Sequence, residues 1–418
     1  MTKKILIVYE NAGAGHKRVA EILQTILCEL DNVQIVSQAA SDLFDDDTST
    51  LVNRLWNYFL RKNWIRIADA LINFFLRLWV VPVVEVLETT GYLNKLEQIR
   101  PDMLICTYDA FGKVLGTYAR EKGVPFYLVL TEISVFIDLV NPEATHICYF
   151  PETINAIHSF DFTTTYFTKR LDRQSSLSDK VRYVLGMYRD YALGNGRRTI
   201  FRNIDVRHPE QNDATAIAVG PLVEAKYYVT QNRSENRTKL MIAQDQPCLL
   251  IISGSIGGAF IDETVRIFQA AVQNPLTILA VCGHDHETLR RVEALQNVNP
   301  SVNVIPLGFV DNLEELYSAS DVVVARPSAG VLLEALRCHS PLITAAQATA
   351  NDLGSIAYIQ RHQLGEVYEH PSDAPRLFYQ IIDRHQHYVN NISERIKSYP
   401  SDSATLASHI REIISSPL

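Results

Sequence analysis

Short apolar runs alternate with longer amphipathic ones along most of the chain. Residues 3–9, 33–36, 102–107, 126–130, 145–150 and 216–220 are brief, mostly β-branched or aromatic, and apolar on both faces. They predict buried parallel strands of one sheet. Residues 248–252, 277–282, 302–306, 321–324 and a strand opening at Pro341-Leu342-Ile343 predict a second. Helical spacing lies between them: Val19, Ile22, Leu23, Ile26, Leu27 and Leu30 form one stripe, and helices are also predicted over 181–193, from Val331, and over about 404–414. The alternation predicts an α/β protein with two Rossmann-like domains, over 1–230 and 246–398. The polar stretch 231–246 reads as a linker with one helix, and 399–418 as a helix crossing back to the first domain.

The 418 residues suit two domains of about 200 residues each. A net charge of −8 argues against a general nucleic-acid binder. Cys28, Cys106, Cys148, Cys248, Cys282 and Cys338 are scattered without metal-like spacing, as buried thiols in a reducing cytosol would be. The apolar run 5–9 is too short for a signal-peptide core. Residues 54–84 change the picture most. They hold all three tryptophans (Trp56, Trp64, Trp79) and set Arg54, Arg61, Lys62, Arg66 and Arg77 against the single acid Asp69. Those charges interrupt the roughly 20 apolar residues that a span needs. Mixed rings and cations instead predict an interfacial anchor on anionic lipid, with a buried helical pair or a homodimer face as the alternative.

Candidate chemistry lies where predicted strands end, the place where open α/β sheets bind ligands. The loop Glu10-Asn11-Ala12-Gly13-Ala14-Gly15-His16 follows the first strand, with no clean GxGxxG and no P-loop Lys-Ser/Thr. His16 is either a general base or a polar residue at a helix start. Asp42, read by itself, is a turn residue before Asp45-Asp46-Asp47. Ser253-Gly254-Ser255-Ile256-Gly257-Gly258-Ala259 and Arg326-Pro327-Ser328-Ala329-Gly330 are small-residue turns opening helices, suited to an anion. Gly283 follows a strand in the same way. His284, Asp285 and His286 lack the partner ligands that a metal site needs.

The string Gly308-Phe309, Ala319-Ser320-Asp321, the 326–330 turn and Glu334-Ala335-Leu336 resembles the nucleotide-sugar half of GT-B glycosyltransferases. The likeness is to the family 28-like group of monogalactosyldiacylglycerol synthases, processive diacylglycerol glucosyltransferases and the lipid II-forming GlcNAc transferase. Gly13-Ala14-Gly15-His16 looks like that group's GGGH loop, and Asp42 stands at its aspartate proposed as catalytic base. The resemblance implies two Rossmann-like domains with parallel sheets facing across a cleft. It implies that Gly13 and Gly15 face acceptor and diphosphate, that Phe309 and Val310 clamp uracil, that Glu334, on the first turn of its helix, accepts the ribose hydroxyls, and that Gln347 and Asn351 reach the sugar. Ser253, Gly254, Ser255, Gly257, Arg326, Ser328, Ala329 and Gly330 would hold the diphosphate without a metal cofactor. The chain departs at Ser328 (Gly in the group), Arg326 (often Lys), Ala348 (Glu), Glu132 (Asp) and the Phe136-Ile137 neighbourhood, where a His is usual. Residues 159–213 add a segment of their own.

The expectation is an inverting hexosyltransferase that uses a UDP-sugar and a lipid hydroxyl, peripheral on the cytoplasmic face of the cell membrane. Trp56, Arg61, Lys62, Trp64, Arg66, Arg77 and Trp79 would meet lipid. His16 ranks first as base, with Asp42 as base or orienter. The alternatives are a transferase or epimerase acting on a soluble substrate, and a non-catalytic nucleotide-sugar-binding protein.

Overall fold

The structure is a computed structural model that describes residues 2–11, 15–45, 47–108, 110–161, 172, 175–193, 200–205, 212–254 and 257–415. It divides into two compact units. One comprises Met1–Trp56, Ala68–Gly220 and Ala407–Leu418, the other Asn57–Ile67 and Pro221–Leu406.

The first unit holds β1 (Lys3–Tyr9), β2 (Val33–Ala39), β3 (Met103–Cys106), β4 (Phe126–Val129), β5 (Val135–Phe136), β6 (Thr145–Cys148), β7 (Phe201–Arg202) and β8 (Ala216–Ala218). Six of these form a parallel sheet in the order β2-β1-β3-β4-β6-β8, while β5 and β7 pair antiparallel on their own. Ile5, Leu6, Ile7 and Val8 are all essentially inaccessible, so β1 is covered on both faces. Leu6 pairs in register with Leu104 and packs with Leu93, Leu96, Val114 and Leu115. Each such side chain contributes about 1.5–3 kcal/mol on burial. The helix Gly15–Leu27 buries His16, Val19, Ala20, Leu23, Ile26 and Leu27 along one stripe, which points its first turn at the end of β1. In the helix Ser403–Ser415, the backbone carbonyl of Ile413 accepts from Tyr127 Oη (3.2 Å) and Arg411 pairs with Glu29.

The second unit holds β9 (Cys248–Ile252), β10 (Leu276–Val281), β11 (Val302–Leu307), β12 (Val322–Ala325), β13 (Leu342–Ala345) and β14 (Gly365–Tyr368), all parallel in the order β11-β10-β9-β12-β13-β14. Leu249, Ile251, Ile278, Val322, Val324 and Ile343 pack with Val265, Phe268 and Phe378. β14 was not legible in the sequence; it is an edge strand carrying only Val367 and Tyr368 as large apolar residues.

Three stretches differ from expectation. Residues 231–246 hold the one expected helix, but it is packed down rather than exposed. Arg237, on the helix Arg233–Lys239, is 1% exposed and donates to the carbonyls of Ala319, Ala243, Gln244 and Gln246 and to Asp321 Oδ2 (2.9 Å). Asp321 also pairs with Arg233 and accepts from the Cys248 amide (2.8 Å), tying the helix to the starts of β12 and β9. The helix predicted from 181 begins earlier, as Leu177–Leu193. Residues 54–84 fold as the helices Asp47–Arg61 and Ile65–Ala68, a stretch of wide π turns over Asp69–Val80, and Val81–Leu87. Among the described residues, no helix is long and apolar enough to cross a membrane.

Candidate functional site

Each sheet reverses its direction of growth once. In the first unit the reversal falls between β1 and β3, and in the second between β9 and β12. Crevices at the carboxyl ends of such strand pairs are the usual ligand positions of open α/β sheets.

At the first reversal, His16 lies just beyond β1 and Thr107 just beyond β3. His16 is 7% exposed, and its Nδ1 lies 2.6 Å from the Thr107 carbonyl oxygen and 3.0 Å from Thr131 Oγ1. A carbonyl only accepts, so Nδ1 carries a proton and Nε2 is the ring nitrogen left for proton exchange. Thr107 Oγ1 donates back to the His16 carbonyl (2.9 Å), and Tyr108 meets the ring edge-on at 5.4 Å. The imidazole is thus held at both backbone and ring. Sequence reasoning missed Thr107 and gave Thr131 no role, because a backbone carbonyl leaves no residue signature.

Glu10 was also given no role. It is 1% exposed, and its carboxylate accepts from the amides of Asn11 and Ser41 (2.8 Å each) and from Ser41 Oγ (3.1 Å). It fastens the end of β1 to the helix Ala40–Phe44. Asp42, one residue on, is exposed on that helix. Gly15 opens its helix with nothing among the described residues within 4 Å of where a Cβ would sit, while Gly13 lies outside the described residues.

At the second reversal, Ser253 follows β9 and Arg326 follows β12. Arg326 Nη2 donates to the Ser253 carbonyl (3.2 Å). Arg326 Nε and Ser253 Oγ are both buried without a hydrogen-bond partner among the described residues. Burial pulls the guanidinium below its ordinary value, against the Asp352 charge, which raises it. Unsatisfied buried polar atoms are costly unless a ligand completes them, and a guanidinium and a hydroxyl on two residues joined by a hydrogen bond suit an anion. The turn continues through Gly254, Gly257 and Gly258, all at positive φ, into the helix Ala259–Ala271, while Ser255 lies outside the described residues. A Cβ on Gly257 would sit 2.5 Å from the Cys282 carbonyl, so this turn tolerates only glycine. Gly283, at φ 59°, follows β10, and Asp285 caps the helix His286–Glu293.

The helix after β12 spans Ala329–Arg337, with Ser328 as N-cap and Gly330 exposed, so it starts two residues before Val331. Glu334 therefore falls on its second turn, not its first. It is 3% exposed and accepts from Tyr317 Oη (3.1 Å). Burial and then the Glu334 charge push the Tyr317 phenol well above its ordinary value, so it stays a donor. Phe309 is exposed and stacks on His284, with rings 4.3 Å apart and 11° from parallel, and Val310 beside it is half-buried. Gln347 is exposed, and Asn351 lies in the turn Ala350–Asp352.

The residues expected at lipid separate. Arg61, Lys62, Trp64 and Arg66 are exposed and Trp56 is half-buried, but Arg77 is buried, ion-paired with Asp138 at 2.7 Å and 3.9 Å over the Phe136 ring. Its charge is spent within the protein. The Trp79 side chain lies outside the described residues.

Two parallel-sheet Rossmann-like units, each with its candidate chemistry at the strand reversal, define the GT-B class. The fold is shared with a solved structure of MurG from Acinetobacter baumannii (TM-score 0.55, 12% identity, covering 99% of this chain and 100% of that one). Residues 248–358 match the glycosyltransferase family 28 C-terminal domain. It is 22% identical over 384 residues to a processive diacylglycerol beta-glucosyltransferase of Bacillus pumilus, covering 86% of this chain and 84% of that relative. It is 19% identical over 397 residues to a chloroplastic monogalactosyldiacylglycerol synthase of Spinacia oleracea, covering 89% of this chain and 64% of that relative's length.

Proposed function

We propose that the protein transfers a hexose from a UDP-sugar to a lipid hydroxyl at the membrane surface, with inversion at the anomeric carbon. The observation that carries this reading is the unsatisfied pair Arg326 Nε and Ser253 Oγ, within the family 28 domain and at its strand reversal. The diphosphate completes both groups, and the amides that open the helix Ala259–Ala271 add their positive end. Glu334, oriented by Tyr317, takes the ribose hydroxyls, and the Phe309 segment takes the uracil. The acceptor oxygen bonds to the anomeric carbon, the bond from that carbon to the diphosphate oxygen breaks, and UDP leaves with the electron pair. His16 Nε2 accepts the hydroxyl proton. Asp42, exposed as it is, ranks behind His16. Charge on UDP is offset by protein groups, so no divalent metal is required.

The lipid acceptor is supported by the names of the relatives and by the half-exposed Tyr58, Trp64 and Ile67. The protein is peripheral on the cytoplasmic face in this reading. The test mixes purified protein with diacylglycerol-containing liposomes and a panel of UDP-sugars, with EDTA, and reads UDP release. Release that depends on liposomes supports the proposal. Equal release without them points to a soluble acceptor, and UDP binding without turnover of any donor points to a non-catalytic binder.

A further inference from the structure

The segment 57–67 was expected to face lipid, yet it belongs to the second unit. Its helix ends at Arg61, where Asn63 turns left-handed (φ 57°) and the Trp64 amide reaches back to the Phe59 carbonyl (2.9 Å), giving a fixed corner. That corner is seated on the glycine turn after β9. A Cβ on Gly258 (φ 106°) would lie 2.6 Å from the Arg61 carbonyl oxygen and 2.8 Å from its Cα, so the approach is backbone to backbone. Asn63 Nδ2 donates to Glu263 Oε2 (2.9 Å), on the first turns of the helix that the glycines open, and gives the corner a second anchor.

We propose that Arg61 is a ligand of the donor's diphosphate, delivered to the glycine turn by the aromatic–basic corner, and not a lipid-facing residue. The inference rests on the reading of the second unit as a UDP-sugar site. The Ser253 hydroxyl and Arg326 Nε, buried and without a partner among the described residues, point separately to an anion at this turn. Arg61 is exposed and so keeps its guanidinium available. It also acts on the neighbouring Asp285. Burial alone would raise that carboxyl, but the Thr288 amide and hydroxyl, with the Arg291 and Arg61 charges, hold it below the usual range. A guanidinium held over the leaving diphosphate offers paired N–H donors where negative charge builds as the sugar departs.

The experiment measures the affinity of wild type, Arg61→Ala and Arg61→Lys for UDP and for uridine in lipid-free solution, alongside cosedimentation with phosphatidylglycerol/phosphatidylcholine vesicles. Uridine lacks the diphosphate, so a merely structural loss moves both affinities together. The expected result is UDP binding weakened about tenfold or more in Arg61→Ala, partly restored in Arg61→Lys, with uridine affinity and vesicle binding unchanged. Wild-type UDP affinity in Arg61→Ala, or equal loss for UDP and uridine, overturns the assignment while leaving the UDP-sugar reading intact. So does vesicle binding lost while UDP affinity holds. A wild type that binds no UDP overturns that reading and the Arg61 assignment with it.

Discussion

His16 Nδ1 lies 2.6 Å from the carbonyl oxygen of Thr107, across the reversal between β1 and β3. One ring nitrogen is committed to the backbone, so only Nε2 is left to take a proton. Replacing His16 by Ala should lower turnover by about 10²–10⁴ and leave UDP affinity within about twofold. Single-turnover rates and UDP titration check this. Turnover that survives in His16→Ala but collapses in Asp42→Ala moves the base to Asp42.

Ser253→Ala separates binding from folding. The hydroxyl is buried and unpartnered, so its removal should leave thermal stability unchanged or raise it by about 1 kcal/mol. The same change should weaken UDP binding about tenfold. A melting curve and a UDP titration on the same sample decide it, and a variant that melts earlier yet binds UDP as wild type does speaks for a structural hydroxyl.

Arg237→Met should destabilise the second unit by about 3–5 kcal/mol, because Asp321 and four carbonyls lose a buried cation together. Urea unfolding followed by intrinsic fluorescence is the check. A change below about 1 kcal/mol would put Arg237 with the surface ion pairs.

His146 makes the first unit sensitive to acid. Its Nδ1 donates to the Thr215 carbonyl (3.0 Å) and its Nε2 accepts from the Asn141 amide (3.1 Å), so the neutral ring is the satisfied form. Burial lowers it from 6.5 to about 4, with the nearby His158 adding to the fall against the Thr215 bond. The unfolded state binds the proton first. The contribution is therefore complete above pH 6.5, falls as pH drops toward 4, and levels off below. The total is about 3 kcal/mol. Unfolding free energies of wild type and His146→Gln between pH 7 and pH 4 should converge as the pH falls. Parallel curves would remove His146 as the cause.

The strands were legible because a strand covered on both faces must be apolar at every position, as Ile5–Val8 and Leu249–Ile252 are. Ser253 and Arg326 were legible because each stands directly after such a run, and His16 because it opens the helix that follows one. Glu334 was placed one turn early, since nothing marked Ala329 rather than Val331 as the helix start. Arg237 read as linker because its partner Asp321 lies 84 residues away and only folding brings them together. The backbone contact of Arg61 was not legible, because rings and cations have one composition whether they meet a bilayer or a protein turn. Its neighbour Gly258 is nearly 200 positions along the chain, beyond the reach of any local pattern.

The assignment of Asn57–Ile67 to the second unit also bears on modularity. Cutting after residue 220 severs the C-terminal half from the corner that its own glycine turn packs against. Such a fragment would keep every strand of its sheet and still carry a bare Gly258. Chimaeras that join the back half of this chain to another front half inherit the same fault, unless residues 57–67 travel with it.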